Sequence, residues 1–257
     1  VPKESSNQNV IAKTLAVLRA FTDKQMEWGV TELARYLEVP VSSLHRILKT
    51  LRGENILQVS PESGKYKFGP EMVRMASIIS AKVDIKSVAR PFLERLSETV
   101  DESVYLALYH SQHKKLSFVD CVHGSKALQY VLEIGVLQPV HIAASGKVIL
   151  AHMEPAEVAK VLEQEGIDEE GRQKISAELE RIRIQGYAMT ANERKVGALS
   201  IGAPLFDASQ KVIGSLICVI PVNSFDETKK DLLVLRVKEE AAGISRALGF
   251  SAQTLPF

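Results

Sequence analysis

Val39-Pro40-Val41-Ser42-Ser43-Leu44-His45-Arg46-Ile47-Leu48-Lys49-Thr50-Leu51-Arg52-Gly53 holds an apolar stripe and a cationic face in one short run. Leu44, Ile47, Leu48 and Leu51 fall at i, i+3, i+4 and i+7, the spacing of a helix that buries one side. The helix starts at Pro40 or Val41, because the residue before a proline is pushed out of the α region and Val39-Pro40 therefore ends the preceding segment. Outside the stripe lie Ser42, Ser43, His45, Arg46, Lys49, Thr50 and Arg52, hydroxyls and cations suited to phosphates and base edges. No acidic residue occurs between Val41 and Gly53.

Working outward, a short helix is expected after an N-cap at Thr31, with Glu32 in its first turn and Leu33, Ala34 and Leu37 facing inward. Ile11, Leu15, Leu18, Phe21 and Thr22 give an earlier segment helical periodicity that ends near Asp23. Downstream, Ile56–Val59 and Lys65–Phe68 read as strands around the turn Ser60-Pro61-Glu62-Ser63-Gly64. Helix, tight turn, basic helix and hairpin make a winged helix-turn-helix, with the basic helix presented to the major groove and Lys65 and Lys67 on one face of the wing. The candidate DNA contacts are Thr31, Val41, Ser42, Ser43, His45, Arg46, Lys49, Lys65 and Lys67. A winged helix used for protein contact is the alternative that the same pattern allows.

The whole chain, 257 residues with 32 Lys+Arg against 31 Asp+Glu, hides this charge in a net +1. The first 70 residues hold ten basic and seven acidic side chains, leaving an acidic excess of two on the remaining 187. A quarter of the residues are charged and the most apolar segment, Val212–Val222, falls far short of the ~20 residues of a membrane-spanning helix. No signal peptide is visible in Val1–Asn9, and Cys121 and Cys218 form no regular spacing. A soluble, cytoplasmic protein with reduced thiols is expected.

Beyond the hairpin, Pro70–Ala81 is apolar on more than one face and requires a packing partner. A helix follows from Asp84, with Val88, Phe92, Leu93 and Leu96 inward and Pro91 as a kink. Strands are expected at Val104–Tyr109, Leu116–Val122, Tyr130–Leu132, Tyr187–Thr190, Ala198–Phe206 and Lys211–Ile220. Helices are expected at Ala143–His152, Pro155–Glu165, Gly171–Gln185 and Glu227–Leu248. The fold class is α+β: an antiparallel sheet with flanking helices behind the DNA-binding segment. The domains are 1–69, a linker helix 70–84, and 85–257.

Catalytic patterns are absent. Gly146-Lys147 lacks the earlier glycine and following hydroxyl of a phosphate loop, and Ser145 is no nucleophile elbow. His110, His113, Cys121 and His123 crowd one hairpin, but at no standard zinc spacing, so neither metal nor cofactor is expected. An enzyme or redox sensor with an accessory winged helix is the rival reading, and no paired carboxylates or nucleophile-and-base set supports it. A sensor pocket accounts better for a cupped sheet under helices, with Ala143-Ala144-Ser145-Gly146 opening a helix whose N–H groups can approach an anion.

Thr31-Glu32-Leu33-Ala34, Val39 to Leu51 and Gly64-Lys65-Tyr66-Lys67-Phe68-Gly69 resemble the winged helix of the IclR-type bacterial transcriptional regulators. The resemblance continues through Pro139-Val140-His141, Ala144-Ser145-Gly146-Lys147, Gly186-Tyr187-Ala188, Gly197 and Ala203-Pro204. Val41 departs from it, since many members carry a basic residue there. The resemblance implies a GAF-like effector domain, a repressor as the expected sense of control, and a homodimer or dimer of dimers on a pseudo-palindromic operator. It further implies effector contacts at Ala127, Tyr130, Ala144, Ser145, Thr190, Ala198, Ser200, Ile217 and Val219. Ile217 and Val219 are apolar, so the expected effector is a small organic acid with an apolar or aromatic body. Its carboxylate is expected at Ala144 to Gly146, near Thr190 and Ser200.

Overall fold

A computed structural model describes residues 5–82 and 84–251; the ends of the expected domains at 1–4 and 252–257, and Val83 of the linker, lie outside the described residues. The chain divides into two compact units, Val1–Val83 and Asp84–Phe257.

In the first unit, α1 (Ser5–Asp23), α2 (Val30–Tyr36) and α3 (Val41–Gly53) precede the antiparallel wing β1 (Leu57–Val59) and β2 (Tyr66–Phe68), and α4 (Pro70–Lys82) follows. The stripe Leu44, Ile47, Leu48 and Leu51 is buried with Val17, Ala20, Phe21, Leu33 and Ala34. On α1 the inward face is thus Val17, Ala20 and Phe21, while Ile11 and Leu15 are exposed. Gly29, not Thr31, caps α2: its carbonyl accepts from Leu33 N at 3.0 Å and its N–H donates to the Glu32 carboxylate at 3.4 Å. Thr31 falls in the first turn, exposed. The Glu32 carboxylate at the third helical position satisfies the N–H of the cap residue, the reciprocal half of a capping box, and no side chain at the cap accepts from the helix.

The one tryptophan organises the wing. Trp28 exchanges backbone hydrogen bonds with Tyr66 (2.9 and 2.8 Å), extending the hairpin by one bridge, and its indole N–H donates to Ala20 O at 3.1 Å. Helix α4 leaves Val73, Met75, Ile78 and Ile79 exposed.

The second unit is built on a six-stranded antiparallel sheet in the order β5-β4-β3-β8-β7-β6. Its strands are β3 (Ser103–His110), β4 (Lys115–Val122), β5 (Gln138–Pro139), β6 (Ala188–Ala191), β7 (Ala198–Phe206) and β8 (Val212–Pro221). The helices are α5 (Ile85–Val100), α6 (Ala143–Leu150), α7 (Pro155–Gln164), α8 (Glu169–Gln185) and α9 (Lys230–Ala247). Asp84 caps α5 by accepting from Lys86 N and Ser87 N, and Pro91 lies inside that helix.

Strand β8 shows why its sequence is apolar without alternation. Ile217 and Val219 pack in the cluster with α6, α7 and α8, whereas Leu216, Cys218 and Ile220 pack with α5 and α9. A strand covered on both faces needs apolar residues at every position.

Tyr130–Leu132 is not a strand. The edge of β4 is taken by β5 through Leu116 opposite Gln138 and Lys115 opposite Pro139. The 130–132 backbone instead closes on the Tyr105 hydroxyl, which donates to Tyr130 O (2.9 Å) and accepts from Leu132 N (3.2 Å). Among the described residues, no helix is long and apolar enough to cross a membrane.

Every residue of α6 is buried, and Gly146 permits the depth: a Cβ there would collide with the Val140 carbonyl. Gly146→Ala should destabilise the second unit by about 1–3 kcal/mol in a denaturant titration, since the contact is with backbone that must shift. A second expectation concerns pH. Burial pushes the imidazoles of His152 and His141 below their usual range, opposed by the Val148 carbonyl and Glu165 respectively. Below the unfolded value of about 6.5 the unfolded chain therefore takes up more protons, so stability falls as pH drops through that window. Unfolding midpoints at about pH 5.5 should lie below those at about pH 7.5, and His152→Phe should reduce the difference.

Candidate functional site

The DNA-facing candidates divide into free and engaged groups. On α3, Val41, Ser42, His45, Arg46, Lys49, Thr50 and Arg52 are exposed, and among the described residues no ion pair occupies Arg46, Lys49 or Arg52. Ser43 turns inward, half-buried in a cleft against Ala12, Ala16 and Val17 of α1. The wing lysines are already partnered. Lys65 Nζ lies 3.2 Å from Glu32, and Lys67 Nζ lies 4.0 Å from Glu27. Glu32 is held below the usual carboxylate range by hydrogen bonds from Gln25, then Lys65, then the Gly29 N–H.

In the second unit a small cavity of about 20 Å³ opens beneath the segment that joins β6 to β7. Six of the expected effector positions line it: Ser145, Thr190, Ala198, Ser200, Ile217 and Val219. Four do not. Ala127 is exposed on the preceding loop, and Tyr130 donates to the Val196 carbonyl beside the cavity. Ala144 and Gly146 are buried in the helix, behind the lining. The wall also contains Phe118, Leu132, Ala143, Glu193, Arg194 and Lys195.

The start of α6 is not open to an anion as its small residues suggested. Ala143 N donates to Glu193 Oε2 and Ala144 N to Thr190 Oγ1, both at 2.9 Å, and Thr190 Oγ1 is 3.1 Å from Ser200 Oγ. The other Glu193 oxygen pairs with Lys147 at 2.7 Å, and Lys147 also meets Glu178 at 2.9 Å.

Arg194 is a cavity-lining side chain that sequence reading missed. Glu193-Arg194-Lys195 looks like a solvated charge run between strands. Yet Arg194 folds back, donating from Nη1 to Gln138 Oε1 (3.1 Å) and from Nη2 to Pro139 O (3.0 Å), Ile142 O (2.8 Å) and Ser145 Oγ (3.4 Å). Its Nε is buried without an acceptor. Burial brings this guanidinium down to about 10, against the opposing pull of Glu193. Only the long-range return of residues 138–145 under this turn reveals the role, and no local pattern encodes it.

The His and Cys candidates disperse. His110 Nε2 lies 2.8 Å from Ser117 Oγ, His123 Nδ1 3.0 Å from Ser103 Oγ, and Cys121 Sγ 3.6 Å from His123 Nε2. His113 is held through its carbonyl by Gln164. Among the described residues, no three metal-binding side chains gather at one point. Cys218 is fully buried, which raises its thiol pKa; burial also raises that of Cys121, so neither is a primed thiolate.

A winged helix with a cationic face, joined to an α+β unit with a small cavity, defines a DNA-binding regulator with a ligand-sensing domain. Comparison with known proteins agrees: the pattern of the IclR helix-turn-helix domain matches residues 10–61, and that of the bacterial transcriptional regulator IclR C-terminal domain matches residues 78–246. The chain belongs to the IclR family of transcriptional regulators, a family of DNA-binding regulators with a C-terminal effector domain rather than of enzymes. It is 25% identical over 248 residues to the transcriptional regulator XynR of Escherichia coli K12, covering 94% of this chain and 98% of that one. In fold it is similar to an IclR-type regulator of Silicibacter (TM-score 0.78, 23% identity, 95% and 98% of the two chains). It is also similar to an IclR homologue of Microbacterium hydrocarbonoxydans solved with 4-hydroxybenzoate (TM-score 0.56, 23% identity, 93% and 98%).

Proposed function

We propose that this regulator is a repressor whose hold on a pseudo-palindromic operator is released by a small organic acid with an apolar or aromatic body. The observation that carries the ligand reading is the wall of the cavity. Phe118, Leu132, Ile217 and Val219 supply apolar surface, and Ser145, Thr190, Ser200 and Arg194 supply a few convergent polar groups. Such a division suits a ligand with an apolar body and one polar end. The Microbacterium homologue, with its bound 4-hydroxybenzoate, supports the same class.

The closed cavity is too small for such a body, so binding widens it. A ligand that binds the widened form better than the closed form shifts the population between them, and that difference is what a ligand-controlled repressor needs. The exposed apolar residues of α4 are the surface through which two protomers would pair as a homodimer, alone or as a dimer of dimers. A regulator working on DNA in this way would act in the cytoplasm.

Calorimetric titration should show aromatic acids such as 4-hydroxybenzoate binding and short keto acids binding more weakly; heat from the keto acids alone would refute the apolar-body reading. Bound acid should also restore run-off transcription from a template carrying the operator.

On DNA, exposed and unpaired Arg46 is assigned a base contact. Arg46→Ala should cost about 1–3 kcal/mol of operator affinity and relax sequence preference. Lys65→Ala and Lys67→Ala should weaken binding evenly over sequences. Each should lower the salt slope by less than about one unit, since Glu32 and Glu27 already neutralise part of these charges. Salt-titrated mobility shifts separate the two patterns, and identical behaviour of the arginine and lysine variants would contradict the assignment.

A further inference from the structure

We propose that Arg194 is the carboxylate receptor of this cavity, which restricts the ligand class to carboxylic acids and excludes neutral alcohols, amides and sugars of the same shape. The inference rests on the cavity being the effector site. It starts from the charges around the cavity, of which all but one are satisfied close at hand.

Glu193 is engaged by Lys147 and by the Ala143 N–H, and Lys147 has Glu178 as a second partner. The exposed Lys195 donates to the Val131 carbonyl. Arg194, half-buried, has no ion-pair partner among the described residues: its Nη atoms are held by neutral oxygens and its buried Nε–H is left without an acceptor. Glu178 and Glu193 together outnumber Lys147, so the charge of Arg194 is balanced at a distance, but its Nε–H is a buried donor without an acceptor, which is costly until something supplies one. An oxygen of a ligand in the cavity that Arg194 lines would be that acceptor.

The position suits this role. The carbonyls of Pro139 and Ile142 fix one nitrogen of the guanidinium, so the fork is oriented before any ligand arrives. With Nη2 already occupied, the free Nε–H is the group that donates to a carboxylate oxygen, as a charge-assisted hydrogen bond. Phe118, Ile217 and Val219 provide the dry surroundings in which that pairing is strong. The Ser145 hydroxyl, 3.4 Å from Nη2, is placed to serve as a second donor to the same carboxylate.

The test uses acid and amide pairs that differ in charge and little in shape: benzoate and benzamide, 4-hydroxybenzoate and 4-hydroxybenzamide, pyruvate and pyruvamide. Each is titrated calorimetrically into the full chain. In the wild-type protein at least one acid should bind about 30-fold or more tightly than its amide, the loss expected when a buried charged hydrogen bond is broken. Arg194→Gln should lower affinity for that acid by a similar factor and erase the preference over the amide, while Arg194→Lys should retain part of both. The wild-type ratio needs no variant, so the inference stays open to refutation even if Arg194→Gln unfolds. An acid that binds wild type and Arg194→Gln equally, or an amide that binds wild type as well as its acid, overturns the role of Arg194 and leaves the effector reading standing. Failure of every acid to bind the wild type overturns both.

Discussion

The second unit depends on keeping one lysine ammonium content inside the fold. Helix α6 is buried along its whole length, and Lys147 in its middle is only 10% exposed at the side chain. Leaving that ammonium unpaired would cost several kcal/mol, by the order of magnitude that buried charges carry. Glu178 of α8 and Glu193 of the β6–β7 turn meet it, so one buried charge ties together a helix, its covering helix and a turn. The second oxygen of Glu193 accepts from Ala143 N, where the helix dipole favours negative charge. With Glu193 pinned, the next residue is carried under the turn, and that is how Arg194 comes to face the carbonyls of Pro139 and Ile142. Pairing with Lys147 thus brings Glu193, and with it Arg194, into the cavity wall.

In the first unit the division of labour is electrostatic. Among the described residues Arg46, Lys49 and Arg52 of α3 form no ion pair, while the wing uses its lysines internally against Glu32 and Glu27. Exposed pairs of this kind contribute little stability, roughly 0–1 kcal/mol each. What they do is hold the wing against α2, together with the Trp28 and Tyr66 bridge. On the proposed reading, steering and sequence reading then fall mainly to α3.

Much of this was legible in sequence where the signal is periodic. The stripe of α3, the two hairpins, the α+β order of the second unit and six cavity residues all follow from spacing, turn chemistry and family resemblance. The misses share a cause. Thr31 looks like a cap because hydroxyls cap helices, but Glu32 reaches back to the Gly29 N–H and moves the boundary. Tyr130–Leu132 has strand-like residues, but its backbone is satisfied by one tyrosine hydroxyl from β3. The small residues at the start of α6 suggest an anion site, but a carboxylate from residue 193 and a hydroxyl from residue 190 fill it. In each case a side chain distant from the local pattern, or three residues along it, took a backbone group that the local reading had assigned elsewhere.

By itself, the sequence determined most of the helices and strands and which face of α3 stays cationic, because periodicity and charge spacing are local properties that each segment carries with it. Only the tertiary structure decided which charges are spent internally and which remain available. Lys65 and Lys67 are partnered and Arg46 is not; Glu193 is committed and Arg194 is left with a buried, unanswered Nε–H. Pairing depends on which groups meet across sequence separations as wide as the 46 positions between Lys147 and Glu193, and no local pattern records such a meeting.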